Sequence, residues 1–166
     1  MSVIERLRDA YIEDLIEDED PEELLAQAEF LEGRGLKGGE AMFVPEEWFY
    51  DEVLEYLDPD DVVFDVGAGD LRFDLIMAER VKRVYAVEVN PITLGKALLT
   101  IKYDLPRNVI PICANALDLP LPQDVTAVTI LMIHRTWEIP RSWRRQAKII
   151  YTTHDGVRFL PRKARR

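Results

Sequence analysis

The stretch VVFDVGAGD, residues 62–70, decides the fold. Val62 to Val66 is apolar except for Asp65, and it runs straight into Gly67-Ala68-Gly69. A short apolar run closed by glycines reads as a buried strand ending in a tight turn. The residues that follow, Leu71 to Arg80, read as a helix. A turn this tight at a strand's carboxyl end favours residues without Cβ, and their absence lets a ligand lie against the backbone. The helix beyond it presents free N–H groups and the positive end of its dipole, which suits a carboxylate or a phosphate.

The same alternation continues outward. Arg83 to Val89 (RVYAVEV) reads as a second strand and Pro91 to Tyr103 as a second helix. Val109 to Ala114, Val125 to Ile133 and Lys148 to Thr153 supply third, fourth and fifth strands, with a helix around Pro140 to Ala147 before the last. Continuous apolar strands alternating with helices predict a parallel sheet covered on both faces. The expected fold class is therefore α/β, a doubly wound, mostly parallel Rossmann-like sheet of about five to six strands. Toward the N-terminus, Ser2 to Glu17 reads as an amphipathic helix through Ile4, Leu7, Tyr11 and Leu15. After the acidic run Glu17 to Asp20, Pro21 and Glu23 start another helix, which Gly33 and Gly35 end. Lys37-Gly38-Gly39 then forms a joint, and PEEWFYDEVLEYL from Pro45 is a third helix burying Trp48, Phe49, Val53, Leu54 and Leu57. The division is an acidic helical arm over residues 1–39, an α/β domain over 40–157 and a basic tail over 158–166.

Two acids sharpen the site. Asp65 stands two residues before the first glycine, and Glu88 lies at the end of the second strand. A carboxylate at that place can accept both hydroxyls of a ribose. The pyrophosphate fingerprint G-x-G-x-x-G needs glycine at position 72, where Arg72 stands instead, which counts against a nicotinamide-nucleotide domain.

VVFDVGAGDLRFDLIMAER followed by VYAVEVNP resembles motifs I and II of the class I S-adenosylmethionine-dependent methyltransferases, whose first motif runs D/E-x-G-x-G-x-G. The resemblance covers residues 43–150. It implies that Asp65, Gly67, Ala68 and Gly69 line the methionine end of S-adenosyl-L-methionine, that Glu88 binds the ribose, and that Val89 and Asn90 flank the adenine. CANALDLPLP resembles the motif after the third strand, placing Asn115 and Ala116 at the adenine, with the Asn115 carbonyl in place of the usual acid. AMFVPEEWFYDEVLEYL resembles the segment that passes over the cofactor in lysine-methyltransferase-like members; Phe43 and Pro45 are candidates for a roof, with a packing staple before the helix as the plain alternative. Leu71 replaces the third glycine of motif I. After the fourth strand, Ile133-His134-Arg135-Thr136-Trp137 replaces the [ND]-P-P-[YF] of adenine-N6 and glutamine-N5 enzymes. Little sequence remains for strands beyond the fifth, and VRFLPRKARR can supply one short one, so the resemblance is to a short member with an incomplete C-terminal half.

Methyl transfer asks mainly that a nucleophile be held in line with the sulfonium methyl. His134, expected at the carboxyl end of the fourth strand, is the candidate base or orienter; a packed or capping histidine is the plain alternative. Arg135 and Trp137 can hold an anionic or planar acceptor, with Phe43 on the substrate side. Asp70 is expected to cap the first helix, and Cys113 to fill a strand as a small apolar residue.

Charge is divided unevenly along the chain. Met1 to Asp60 holds 20 acids and 4 bases, whereas Arg141 to Arg166 holds 9 bases and 1 acid, within a net charge of -10. A basic end can approach nucleic acid or an acidic partner; it can equally fold back on the acidic arm or simply solvate. The acceptor stays unidentified, with RNA or protein favoured over a small metabolite. Arm and tail also offer a route to a homo-oligomer, and a non-catalytic cofactor-binding or partner-binding module of a larger assembly is the alternative function. Two separated histidines and one cysteine supply no zinc-type ligand set. The lone Cys113 fits a reducing compartment, and MSVIERLRDAYIEDL carries interspersed acids with no apolar core of a secretory signal. No stretch is long and apolar enough for a bilayer, so the expectation is a cytoplasmic protein without a membrane partner.

Overall fold

The computed structural model describes residues 2–7, 49–131, 138–153 and 156–163. Phe43, Pro45, His134, Arg135 and Trp137 lie outside the described residues, as do most of the acidic arm and the Lys37–Gly39 joint. The described elements are α1 (Tyr50–Leu54), β1 (Val62–Val66), α2 (Arg72–Ala78), β2 (Arg83–Glu88), α3 (Pro91–Ile101), β3 (Val109–Cys113), β4 (Ala127–Ile130), α4 (Arg141–Gln146), β5 (Lys148–Thr153) and β6 (Gly156–Leu160). Single 3₁₀ turns at Lys102–Asp104 and Ala116–Asp118 follow α3 and β3.

Six strands form one sheet in the order β3-β2-β1-β4-β5-β6. β1 to β5 are parallel, and β6 returns antiparallel beside β5. The chain winds one way from β1 through β2 to β3, then resumes on the other side of β1 with β4. The switch point of the winding lies between the carboxyl ends of β1 and β4, where open α/β sheets hold their ligands.

Strand alternation sends successive side chains to opposite faces. Val63, Val84, Ala86, Ala127 and Ile150 meet the buried residues of α1, α2 and α3 on one face. Val62, Phe64, Val87, Val128 and Ile149 meet Trp143 of α4 on the other, with Phe64 and Trp143 edge to face at 5.7 Å. Each fully buried aliphatic side chain of this kind contributes about 1.5–3 kcal/mol. Residues 3–7 are helical; Leu7 is buried in the first core, and Ser2 and Glu5 cap each other reciprocally at 2.6 and 3.2 Å.

The amino ends of the central strands are fastened by Asp61. Its buried carboxylate accepts from the Asp58 N–H, the Thr126 hydroxyl and the Lys148 ammonium, each at 2.7 Å. Lys148 also reaches Asp58 at 2.8 Å, so one cation of the basic region meets the acidic stretch before β1. Desolvation alone pushes the Lys148 ammonium down; hydrogen bonds and charge from Asp58 and Asp61 more than offset it, and its pKa is raised.

Several expectations are corrected. The described part of the third helix is confined to Tyr50–Leu54, with Phe49 and Leu57 only half-buried. β4 starts at Ala127 rather than Val125, because the Thr126 hydroxyl and backbone tie this entry to Asp61 and Val62. Cys113 is exposed, since β3 is an edge strand and Cys113 its last residue, so it fills no core. The one short strand read in VRFLPRKARR is β6, whose pairing with β5 makes Arg158 to Leu160 part of the sheet. No helix among the described residues is long and apolar enough to cross a membrane.

Candidate functional site

The glycine turn stands at the carboxyl end of β1. Gly67 and Gly69 adopt φ values of +77° and +57°, which side chains with Cβ resist. The Gly67 and Ala68 N–H groups both donate to the Val87 carbonyl, at 2.8 and 3.1 Å, pinning the turn to β2. Among the described residues, a Cβ built on Gly67 would meet nothing within 4 Å, and on Gly69 only the Gly67 carbonyl at 4.0 Å. The glycines therefore border open space rather than packed side chains.

Glu88 joins this turn to the next one. It is buried at the end of β2, where Oε2 accepts the Gly69 N–H at 2.9 Å and Oε1 accepts the Asn90 N–H at 2.8 Å. A carboxylate offers about four acceptor sites, so roughly two remain after these bonds. Asn90 is the N-cap of α3, its Oδ1 accepting from Ile92 at 2.9 Å and Thr93 at 3.4 Å, with Pro91 at the first helical position. Val89 beside it is exposed.

The end of β3 adjoins Glu88: Cys113 pairs with it in register, and the Ala114 N–H donates to the Glu88 carbonyl at 3.0 Å. Asn115 follows, but its carbonyl oxygen already accepts the Leu117 N–H at 3.1 Å as the cap of the 3₁₀ turn. Only its second lone pair and its amide are left for a ligand. Ala116 is buried and Leu117 exposed. Gly67, Ala68, Gly69, Glu88, Val89, Asn90, Asn115 and Ala116 thus gather along the carboxyl ends of three adjacent strands.

Asp65 lies below the turn on the α2 side. It is buried, sits opposite Thr129 of β4 in register, and accepts a short hydrogen bond from the Thr129 hydroxyl. From α2, the Asp74 carboxyl faces it. Asp74 is fully buried, and among the described residues neither of its oxygens has a hydrogen-bond partner. Burial first, and then the neighbouring charge of Asp65, hold Asp74 well above the usual carboxylate range, with Asp70 adding to the rise. Two carboxyl groups in contact away from water resist ionising together, and the Asp74 carboxyl is the one pushed toward its protonated form. Asp70 and Arg72 complete the cluster as a buried ion pair at 2.6 Å. Asp70 also accepts the Arg72 N–H at 3.2 Å, satisfying the first N–H of α2 from one position outside the N-cap, Leu71.

Sequence reasoning missed Thr129 and Asp74. The signal was present: Thr129 breaks the apolar run of β4, and Asp74 is a lone acid among the apolar residues Phe73, Leu75 and Met77 of a short helix. What the chain order did not reveal is that both meet Asp65.

A sheet wound outward from β1 on both sides, with a glycine turn locked to an acid closing the second strand, is the fold of the class I, Rossmann-like S-adenosylmethionine-dependent methyltransferases, to which the chain is similar. Among solved structures, precorrin-6y C5,15-methyltransferase of Geobacter metallireducens is 27% identical with a TM-score of 0.50, covering 61% of this chain and 60% of that one. TYW2 of M. jannaschii, solved in complex with AdoMet, is 25% identical with a TM-score of 0.52, covering 64% of this chain and 52% of that one. An RNA methyltransferase of Salinibacter ruber, in complex with S-adenosyl-L-homocysteine, shares the fold at 18% identity and a TM-score of 0.50, over 70% and 92% of the two chains. An uncharacterized protein of Methanocaldococcus jannaschii is 38% identical over 61 residues, 37% of this chain and 24% of its own length. The chain thus spans a quarter of that relative and 52 to 60% of the first two solved structures. No family model matches it.

Proposed function

We propose that this chain binds S-adenosylmethionine across the carboxyl ends of β1, β2 and β3 and transfers its methyl group to a macromolecular acceptor. One observation carries the reading: the Glu88 carboxylate clasps both the glycine turn and the start of α3 while keeping acceptor capacity, and the glycines beside it face open space. In this reading the remaining lone pairs of Glu88 accept the two ribose hydroxyls. Gly67, Ala68 and Gly69 let the methionyl portion lie against backbone, and the carboxyl pair of Asp65 and Asp74 fixes the turn from below. Val89, Asn90, Asn115 and Ala116 border the adenine. When bound, the cofactor supplies an electrophilic methyl group on a sulfonium. The chain's own contribution is then positional, since alignment of donor and acceptor accounts for most of the effect in such transfers. On the acceptor side the sequence offers His134 as base or orienter, and Arg135, Trp137 and Phe43 as contacts.

Calorimetric titration with S-adenosylmethionine, S-adenosylhomocysteine and NAD tests the cofactor. Both sulfur nucleosides are expected to bind and NAD not to. Gly67→Val should abolish binding, because its side chain enters the open space and its backbone resists φ +77°. Glu88→Ala should weaken binding at least tenfold, about 1.4 kcal/mol. Unchanged affinity in both variants would remove the site. Transfer of tritiated methyl into fractionated RNA or protein tests catalysis; tight binding with no incorporation would make the chain a cofactor-binding module instead.

A further inference from the structure

α4 reads RSWRRQ, and Trp143 is its one buried residue. Arg141 and Arg145 are exposed, and Arg144 is half-buried. After β6 the chain folds back onto this helix. The Lys163 N–H donates to the Arg144 carbonyl at 3.0 Å, and Arg162 Nε donates to the Arg145 carbonyl at 3.3 Å. β6 adds a further cation: Leu160 packs with the Trp143 core, so Arg158, two residues earlier, projects to the same face of the sheet as α4.

Arg141, Arg144, Arg145, Arg158, Arg162 and Lys163 therefore share one corner. No described carboxylate forms an ion pair with any of them; Asp58 and Asp61 are taken by Lys148, and Asp124 by Arg83 at 2.9 Å. Among the described residues, the buried Nε of Arg144 has no hydrogen-bond acceptor. Six cations on one corner, four of them tied together by the bonds of Lys163 and Arg162 to α4 carbonyls, repel one another and attract a polyanion. Among the described residues the corner is poor in apolar surface: Val89, Ile92, Leu99 and Tyr103, the most exposed large hydrophobic residues, belong to the β2–α3 side, and Phe159, beside Arg158, stacks on Tyr56 on the opposite face of the sheet. A protein partner is expected to need an apolar centre to its interface. A phosphate backbone needs only cations, and five of these six are guanidinium forks that match phosphate oxygens.

Position completes the argument. Only Ala147 separates α4 from β5, and Leu160 pairs with Ile149, so Arg145 and Arg162 lie near the amino ends of the parallel strands. Arg141 stands about 6 Å further up α4 at 1.5 Å per residue. The glycine turn is at the other end of β1, about 17 Å along the strand and roughly 10 Å across two strands. The corner is too far away to touch a methyl acceptor directly, but a polymer can span both places.

We propose that this corner binds the phosphate backbone of a polynucleotide and so, given the methyltransferase reading above, that the acceptor group is carried on a nucleic acid. Fluorescence anisotropy on the full chain with short labelled RNA and DNA, and with polyglutamate as a second polyanion, tests it. Binding to one or both polynucleotides is expected to weaken with salt, with a log–log slope of about -3 for four phosphates on a single strand. The two arms, RNA and DNA, identify the source of the phosphates. Reversal of four charges, Arg144→Glu, Arg145→Glu, Arg162→Glu and Lys163→Glu together, should cost at least tenfold in affinity and flatten the slope. Arg162→Gln with Lys163→Gln, a milder change in the exposed segment, should lower both in the same direction. Equal affinity in wild type and variants, or polyglutamate bound as tightly as RNA, would overturn the proposal. Titration of S-adenosylmethionine into the same variants keeps the two readings apart: its affinity should not change. If wild type bound polynucleotide through this corner and no S-adenosylmethionine, the cofactor reading would fail and the surface would stand.

Discussion

Asp74 carries a charge problem that its neighbours cannot relieve while both it and Asp65 are ionised. Buried with no hydrogen-bond partner among the described residues and facing a second carboxyl, it keeps its proton at pH values where an ordinary aspartate has lost it. A carboxyl whose folded pKa is raised stabilises the fold fully below its unfolded value, here 3.8, and that contribution is lost as pH rises through the folded value. Asp74→Asn keeps the shape and supplies a neutral donor. The variant should gain stability relative to wild type as pH rises above about 4, with urea midpoints converging at the acidic end. A constant offset at every pH would mean that Asp74 does not titrate with folding. Leu71 shows a second conflict. It occupies the left-handed region at φ +68°, where the family motif has glycine, yet its side chain is fully buried. The backbone cost is about 1–2 kcal/mol, whereas removing a buried leucine costs about 2–5 kcal/mol. Burial wins, so Leu71→Gly should destabilise by about 2 kcal/mol in urea unfolding. A more stable glycine variant would show that the backbone cost is the larger.

The elements owe their register to polar fastenings at both ends of the sheet. At the amino ends, Asp61 ties the entry to β1 to Thr126 before β4 and Lys148 of β5. At the carboxyl ends, Thr129 and Asp65 link β4 to β1, while Glu88 links β2 to the glycine turn. Asp61→Ala removes a buried acceptor and leaves the Thr126 hydroxyl and Lys148 ammonium short of a partner. It should cost about 3 kcal/mol of unfolding free energy, and more than Asp58→Ala, whose carboxylate is exposed. Chemical denaturation of both variants measures this; equal losses would place the weight of the clasp on Asp58. These fastenings were not readable beforehand, because each joins residues 64 to 87 positions apart, except for the clasp of Glu88 to Gly69.

For the molecule as a whole, a ligand that binds only the folded chain must raise its stability. At one hundred times its Kd, S-adenosylmethionine would add about 2.7 kcal/mol. For a domain of this size that is a rise in Tm of about 5–10 °C, read by scanning calorimetry, with NAD giving none. No rise with S-adenosylmethionine would count against the proposed cofactor, whatever the fold. The α/β class, the placement of five parallel strands and the meeting of Gly67, Gly69 and Glu88 were all legible in residue order, because each rests on local signals: apolar runs, glycines and an acid at a strand end. The start of β4 and the exposure of Cys113 were decided by tertiary structure, since edge position and strand pairing depend on neighbours distant in sequence. The same holds for the meeting of the Asp65 and Asp74 carboxyls and for the basic corner, which no described carboxylate pairs. Net charge and composition state how many ionisable groups exist; only the folded chain decides which of them face each other and which are left to a partner.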